Sequence, residues 1–217
     1  MNDAAFARLD ALPRERLGLL PTPLAEAPAL ARAIGLPALW IKRDELIGFG
    51  FGGNKVRGLE LLIGDARARG ADVVVTGAGA QSNHVRATAA AAAHAGMQAI
   101  AAYWGEEPAA VQGNLRLTRL LGAQIRFTNN ADRAQVDQAI NHIAAEQRAA
   151  GRRPYPIPRG GACALGVLGW LFCIWSGRID GSCQIQNNHA LRVLAALVMA
   201  LRNPNYFVQI LTALQPK

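Results

Sequence analysis

The chain has 217 residues, of which 51% are hydrophobic and 18% charged, and this composition excludes a disordered polypeptide. Its net charge of +8 comes mostly from arginine scattered along the chain, which indicates a solvated surface rather than a nucleic-acid-binding site. We expect no membrane span, because the longest late apolar run, residues 193–201, is far below the ~20 residues that cross a bilayer. Residues 1–17 lack the apolar stretch of a secretory signal.

Cysteine and histidine usage gives no sign of a metal site. The three cysteines, Cys163, Cys173 and Cys183, are odd in number and lack CxxC spacing, which argues against a disulfide framework and a structural zinc site. His84 and His94 stand too far apart in sequence to suggest a shared metal. We therefore predict a cytoplasmic protein without a bound metal.

Helical and strand-like segments alternate along most of the chain. An extended segment begins at residues 21–23, a strand is predicted at 38–42, and the segment up to residue 47 reads as a separate layer or domain. The segments that follow are predicted as helix 54–69, strand 73–76, helix 83–95, strand 98–103, helix 108–121, strand 124–128, helix 131–150 and strand 155–158. This alternation predicts an α/β fold with parallel sheets flanked by helices.

The character of the sequence changes after Trp170. From Leu171 to Lys217 the only acidic residue is Asp180, and the alternation of helix and strand fades. Two interpretations stay open: an apolar helix at residues 190–201 that packs on the sheet, or a tail foreign to the fold, as after a frameshift or truncation.

The first candidate site is the segment Phe51-Gly52-Gly53-Asn54-Lys55, which precedes an amphipathic helix. Paired glycines let a ligand approach the backbone, and asparagine is a favoured N-cap. Lys55 would then lie in the first helical turn, where the helix dipole disfavours an ammonium and lowers the pKa of the amine from its ordinary value of about 10.4. Such a lysine is suited to forming a Schiff base, although an exposed lysine after a glycine turn is the alternative.

The second candidate site is the segment from Thr76 to His84, which joins a strand to a helix through small residues. Ligands of α/β sheets bind at the carboxyl ends of strands, and the start of a helix offers N–H groups to a carboxylate or phosphate. Ser82 or Asn83 is predicted to cap this helix. An ordinary capped turn is the alternative, and a dinucleotide site is disfavoured because Ser82 stands where a third glycine is needed.

Together with Gly160-Gly161 and Leu165-Gly166-Val167-Leu168-Gly169, the motifs Gly52-Gly53-Asn54-Lys55-Val56-Arg57 and Gln81-Ser82-Asn83-His84-Val85-Arg86 resemble the D-cysteine desulfhydrase and 1-aminocyclopropane-1-carboxylate (ACC) deaminase family. The resemblance covers roughly residues 16–170. It implies pyridoxal 5'-phosphate (PLP) as cofactor and fold type II, with a small domain and a large domain. On this basis we predict that residues 1–47 begin the large domain, that 48–160 form the small α/β domain, and that 161–217 are the truncated or divergent remainder of the large domain.

The resemblance also implies roles for individual residues. Lys55 matches the lysine that holds the cofactor, Asn83 matches the residue hydrogen-bonded to the cofactor's ring oxygen, and Ser82 matches the serine that contacts substrate. We place Asn54 at the cofactor as well, and Gln81 and His84 beside Ser82 and Asn83 at the substrate. A small amino acid is the implied substrate, and a homodimer is a possible assembly.

His84 favours D-cysteine as the substrate, because a histidine after Gln-Ser-Asn resembles the D-cysteine desulfhydrase branch. The implied reaction is α,β-elimination to pyruvate, hydrogen sulfide and ammonia. ACC deamination and a non-catalytic remnant of the family are the alternatives. Two departures from the family's pattern stand out: Gly58 replaces a lysine near the cofactor phosphate, and residues 171–217 show no phosphate-binding loop rich in glycine, threonine and serine. We therefore expect a chain truncated at its C-terminal side.

Overall fold

A computed structural model describes residues 10–169 of the chain. Six strands and five helices of that part are defined as follows: β1 (Leu24–Glu26), α1 (Pro28–Ala33), β2 (Trp40–Lys42), α2 (Lys55–Ala68), β3 (Val73–Ala78), α3 (Asn83–His94), β4 (Gln98–Tyr103), α4 (Gly113–Leu120), β5 (Gln124–Phe127), α5 (Gln135–Ala149) and β6 (Pro154–Pro156). Short 3-10 helices span Asp44–Ile47 and Arg159–Gly161. Residues 164–169 are helical.

Four strands form a parallel sheet in the order β5-β4-β3-β6. All three neighbouring pairs are parallel, and Val75 of the central strand β3 is level with Ile100 on one side and Pro156 on the other. This arrangement confirms the predicted α/β class. A parallel sheet needs helical crossovers that cover its faces, and the apolar run at the start of β3 is accordingly buried.

Successive residues of β3 supply the two faces of the sheet. Val74 packs on one face with Leu59 and Leu62 of α2 and with Ala87 of α3. Val73 and Val75 pack on the other face with residues of α5, among them Ile140. The sheet is therefore covered by α2 and α3 on one side and by α5 on the other.

The segment before α2 contains an antiparallel ribbon, of which β2 lies inside the predicted strand 38–42, whereas its pairing with β1 was not predicted. Its strands β1 and β2 pair so that Ala25 lies opposite Ile41. These two strands form a sheet of their own, separate from the four-stranded sheet. The domain boundaries after residues 47 and 160 stay predictions.

Most predicted elements agree with the structure to within a few residues, but the predicted helix 108–121 is wrong at its start. Helix α4 begins only at Gly113, which has a φ of 57°, after Gln112 in an extended conformation. The predicted helix 190–201 and the region searched for a phosphate-binding loop lie outside the described residues. Within residues 10–169, every helix falls short of the length and apolar character that a bilayer span requires.

Candidate active site

A run of left-handed backbone leads into Lys55. The φ angles of Gly50, Phe51, Gly52 and Gly53 are 52°, 69°, 73° and 99°. A Cβ at position 52 would lie 2.5 Å from the Glu45 carbonyl oxygen, so that only glycine is accommodated there. The Gly53 amide donates to the Asp44 carbonyl at 3.0 Å, and this bond fixes the loop two residues before Lys55.

Lys55 is the first residue of α2 and is half-buried. The preceding Asn54 is the N-cap residue, as predicted, so Lys55 lies in the first turn of the helix. Asn54 is exposed, has helical backbone angles and makes no side-chain capping bond. Among the described residues, no group lies within 4 Å of the place that a Cβ at Gly53 would take.

A buried ion pair ties α2 to the segment in front of it. The guanidinium of Arg57 donates to the two Asp44 carboxylate oxygens from Nε at 2.8 Å and from Nη2 at 2.6 Å. Arg57 Nη2 also donates to the Thr22 hydroxyl, and that hydroxyl donates to Asp44 Oδ1 at 2.9 Å. Because every buried charge in this group has its partner, the group holds the Lys55 loop rigidly against α2.

Ser82 is the N-cap of α3, which confirms one of the two predicted caps. Its backbone is extended and its Oγ accepts from the Val85 amide at 3.3 Å. The cap uses a lone pair of the hydroxyl and leaves the O–H proton available as a donor. Helix geometry also leaves first-turn amides of α3 without acceptors inside the helix, where the dipole favours an anion.

The turn before α3 is bound to the start of α4 by hydrogen bonds of two amide side chains, Gln81 in the turn and Asn114 on α4. Gln81 Oε1 accepts from the Asn114 amide at 3.0 Å, and Gln81 Nε2 donates to the Gln112 carbonyl at 3.1 Å. The Asn114 side chain donates from Nδ2 to the Gln81 carbonyl at 2.8 Å and to Asn83 Oδ1 at 2.9 Å. The side chain of Gln81 thus supports the turn, and its NH2 group has a carbonyl partner at Gln112, the N-cap residue of α4.

His84 is buried and faces the sheet. Its Nε2 lies 3.3 Å from the Thr76 hydroxyl, which donates its proton to the Ile157 carbonyl at 3.0 Å. Because the Thr76 hydroxyl donates its one proton to Ile157, it can only accept in its contact with His84. Nε2 of His84 therefore carries a proton and donates it to Thr76. A Cβ at Gly161 would lie 3.3 Å from the His84 ring, so the Gly160-Gly161 turn packs directly on the histidine. His94, in contrast, is largely exposed and lies 3.5 Å from Glu15.

Arg86 joins the two candidate segments. It lies in the first turns of α3, is 4% exposed, and donates from Nη2 to the Gly52 carbonyl at 3.2 Å. Its Nε and Nη1 have no hydrogen-bond partner within residues 10–169, and burial lowers the pKa of its guanidinium. The start of the Ser82 helix is therefore bound directly to the loop that carries Lys55.

A cleft of about 560 Å³ lies elsewhere, around β6 and the turn before β3. Arginines dominate its lining: Arg69, Arg148, Arg152 and Arg153. Two of them are paired, Arg69 with Asp65 and Arg152 with Asp72. The cleft lies at the amino end of β3. The Thr76-to-His84 segment instead leads away from the carboxyl end of β3, and Arg86 binds the Lys55 loop to that segment. Arg69 and Arg148 stand at the C-terminal ends of α2 and α5, where cations complement the helix dipole, whereas Arg152 binds Asp72 and Gln98.

The roles of Lys55 and Ser82 stay predictions. Three residues that fix their surroundings were assigned no role from the sequence: Asp44, Arg86 and Asn114. A signal for Asn114 was present, since Gly113-Asn114 inside a predicted helix is a typical helix start or turn. Metal binding has no support in the described part of the chain, where no three His, Cys, Asp or Glu side chains come close enough to hold an ion.

Known proteins match this chain over the region that forms the sheet. The family described as "Pyridoxal-phosphate dependent enzyme" matches residues 15–172. The ACC deaminase of Burkholderia cenocepacia strain HI2424 is 38% identical over 170 residues, which are 75% of this chain and 50% of that protein. A Pyrococcus horikoshii protein, provisionally named as the same enzyme, is 40% identical over 171 residues, which are 79% of this chain and 52% of that protein.

Solved structures agree with the sequence matches. The crystal structure of an ACC deaminase homologue superposes with a TM-score of 0.76 at 38% identity, covering 85% of this chain and 55% of that one. An L-serine ammonia-lyase from Rhizomucor miehei shares the fold with a TM-score of 0.54 at 18% identity, covering 76% of this chain and 49% of that one. The chain spans about half the length of the curated relatives it matches. With the family matched over residues 15–172 and the sheet shared with an ACC deaminase homologue, this chain belongs to the family of pyridoxal-phosphate-dependent enzymes.

Proposed function

We propose that the chain carries the cofactor lysine and the substrate-binding turn of a PLP-dependent lyase acting on a small amino acid. The observation that carries this proposal is the hydrogen bond from Arg86 Nη2 to the Gly52 carbonyl. It joins the start of α3, capped by Ser82, to the loop that ends at Lys55. An amine and an anion-binding helix start on neighbouring elements suit an aldehyde cofactor and a carboxylate substrate.

The residues present fit the aldehyde end of PLP. Lys55 is half-buried at the start of a helix, and in the part of the chain that the structure describes no group crowds the backbone of Gly53 next to it. Asn83 is exposed beside Ser82, and Asn54 precedes the lysine. We assign Lys55, Asn54 and Asn83 to the cofactor. When bound, PLP supplies an electron sink for a carbanion at the substrate's α-carbon.

The protein's own part is to bind, orient and move protons. The first-turn amides of α3 and the Ser82 O–H hold the substrate carboxylate, with the Gln81 turn as their support. With D-cysteine as substrate, the Lys55 amine, once released, would take the proton from the α-carbon as general base. ACC carries no proton on its α-carbon, so this step applies to D-cysteine alone. His84, buried against Thr76, fixes the helix start on the sheet.

We propose D-cysteine as the first candidate substrate, on the resemblance of the Gln81-to-His84 segment to the desulfhydrase branch. ACC is the second candidate, because the relatives at 38–40% identity carry the ACC deaminase name. A cytoplasmic location and a homodimer belong to the same proposal.

Cofactor labelling tests the role of Lys55. The purified chain is incubated with PLP, reduced with borohydride, digested and mapped by mass spectrometry. The chain contains only three lysines, Lys42, Lys55 and Lys217, so the readout is simple. We expect label on Lys55, no label at that position in Lys55→Arg, and unchanged labelling of Lys55 in the matched Lys42→Arg. Absence of label on Lys55, or equal label on all three lysines, would leave a non-catalytic remnant as the better description.

Substrate choice is tested separately on the PLP-loaded chain. We expect sulfide and pyruvate from D-cysteine, with a rate at least about tenfold lower in Ser82→Ala, since a lost hydrogen bond to a charged group is worth roughly 1.5–3 kcal/mol. Release of ammonia from ACC without sulfide from D-cysteine would assign the chain to the second candidate. Labelling at Lys55 without turnover of either compound would reject both substrates while keeping the cofactor site.

A further inference from the structure

Asn114, at the start of α4, contacts both residues that flank Ser82. Its backbone amide donates to Gln81 Oε1, and its side-chain Nδ2 donates to the Gln81 carbonyl at 2.8 Å and to Asn83 Oδ1 at 2.9 Å. The approach is close because position 113 is glycine: a Cβ there would lie 2.3 Å from Gln81 Oε1. The start of α4 is thus fitted to the Gln81 turn.

The backbone carbonyl of Gln81 determines how both asparagine amides are oriented. A carbonyl oxygen can only accept, so the Asn114 atom that contacts it must be the NH2 group. The same NH2 group contacts Asn83, and since it can only donate, the Asn83 atom facing it must be the oxygen. The NH2 group of Asn83 is therefore turned away from Asn114.

We infer that Asn114 is a positioning residue of the proposed site: it turns the Asn83 amide so that the NH2 group, and not the oxygen, is offered to an acceptor on the bound cofactor. The identity of that ligand rests on the proposed function, whereas the orientation of Asn83 rests on the hydrogen bonds alone. A free asparagine on the surface presents either end. Asn114 removes one of the two orientations before the ligand arrives, which lowers the entropic cost of binding.

Two substitutions change this orientation in different ways. Asn114→Ala removes the donor and lets the Asn83 amide rotate. Asn114→Asp keeps the size but offers only acceptors, so the NH2 group of Asn83 turns toward position 114 and its oxygen turns outward. The matched control is Asn141→Ala on the exposed surface of α5, away from both candidate segments.

The first measurement needs no cofactor. In a ¹⁵N-labelled chain, the side-chain NH2 signals of Asn83 are assigned by their loss in Asn83→Asp. We expect these signals to shift in Asn114→Ala and in Asn114→Asp, and to stay in place in Asn141→Ala. Unmoved Asn83 signals in both Asn114 variants would overturn the inference, whatever the chain does with PLP.

The second measurement is PLP affinity, followed by absorbance at high salt so that the added charge of the aspartate is screened. We expect binding about 5–10-fold weaker in Asn114→Ala, as for one misplaced hydrogen bond, and weaker still in Asn114→Asp. Equal affinity in wild type and both variants would overturn the positioning role. If the wild-type chain binds no PLP, the NMR result still decides the orientation, and the failure counts against the proposed function alone.

Discussion

Two buried arginines in the first turns of neighbouring helices have contrasting environments. Arg57 on α2 is 3% exposed and has both Asp44 and Thr22 as partners. Arg86 on α3 is 4% exposed, yet two of its guanidinium nitrogens have no partner within residues 10–169. Buried polar atoms without a partner are rare in folded proteins, and a catalytic or ligand-related purpose is one explanation for them. The bond from Arg86 to the Lys55 loop is consistent with such a purpose.

This contrast predicts opposite results from the same substitution. Arg57→Met leaves the Asp44 carboxylate buried without its partner and should lower the free energy of unfolding by about 3–5 kcal/mol. Arg86→Met removes a charge that is poorly compensated, so the free energy of unfolding should change by less than about 1 kcal/mol in either direction. Urea denaturation followed by far-UV circular dichroism measures both.

The rate at which PLP labels Lys55, compared with the urea concentration at which each variant unfolds, separates an effect on function from an effect on stability. We expect Arg86→Met to label Lys55 more slowly than the wild type although it unfolds at a similar urea concentration. Equal losses of stability in the two variants would show that Arg86 is an ordinary structural residue. The exposed Arg116→Met on α4 serves as the control and should change neither quantity.

At the scale of elements, the sequence predicted the sheet better than its connections. Strand β4 runs from Gln98 to Tyr103, as predicted, because parallel strands are buried on both faces and read as apolar runs. Helix α4 starts five residues later than predicted, at Gly113, because its first turn is set by contacts with Gln81, far away in sequence. Strand β2 lies within the predicted strand 38–42, but its pairing with β1 was not predicted, since pairing depends on a partner strand rather than on local pattern.

A hydrogen bond between β6 and α2 predicts that the stability of the fold depends on pH. The Tyr155 hydroxyl donates to Asp65 Oδ2 at 2.7 Å, and burial together with this bond to a carboxylate raises the pKa of Tyr155. The unfolded chain loses the phenolic proton from about pH 10, whereas the folded chain keeps it to higher pH. The contribution of Tyr155 to stability is therefore complete below about pH 10 and is lost as pH rises further.

The substitution Tyr155→Phe tests this hydrogen bond. We expect the variant to be about 1 kcal/mol less stable at pH 8, because the hydrogen bond is gone, and to lose stability less steeply than the wild type between pH 10 and 11. Burial also raises the pKa of Tyr103, so part of the slope will remain. Urea midpoints across this pH range provide the measurement, and identical slopes in the two proteins would contradict the assignment.

At the scale of the whole molecule, apolar surface is concentrated before α2. Of the large hydrophobic side chains exposed within residues 10–169, most lie between residues 19 and 51, and only Leu120 lies elsewhere. Strand β2 exposes Trp40 by 47% and Ile41 by 42%, although neighbouring residues of a strand point to opposite faces. A two-stranded ribbon that leaves both faces uncovered is marginally stable in water. The described residues therefore do not supply the cover that this ribbon needs.

Exposure on both faces of β2 predicts that the isolated chain binds hydrophobic dyes and associates at high concentration through this ribbon. Trp40→Ser combined with Ile41→Thr should lower the fluorescence of bound 8-anilinonaphthalene-1-sulfonate and shift sedimentation toward the monomer. Leu120→Ser is the matched control, because Leu120 is 73% exposed but stands alone on α4. Polar side chains keep the ribbon's backbone pairing, since the β1–β2 register depends on main-chain bonds, so the double variant should retain its labelling at Lys55. If the control lowers dye binding as much as the double variant, the association arises from general surface hydrophobicity and not from the ribbon.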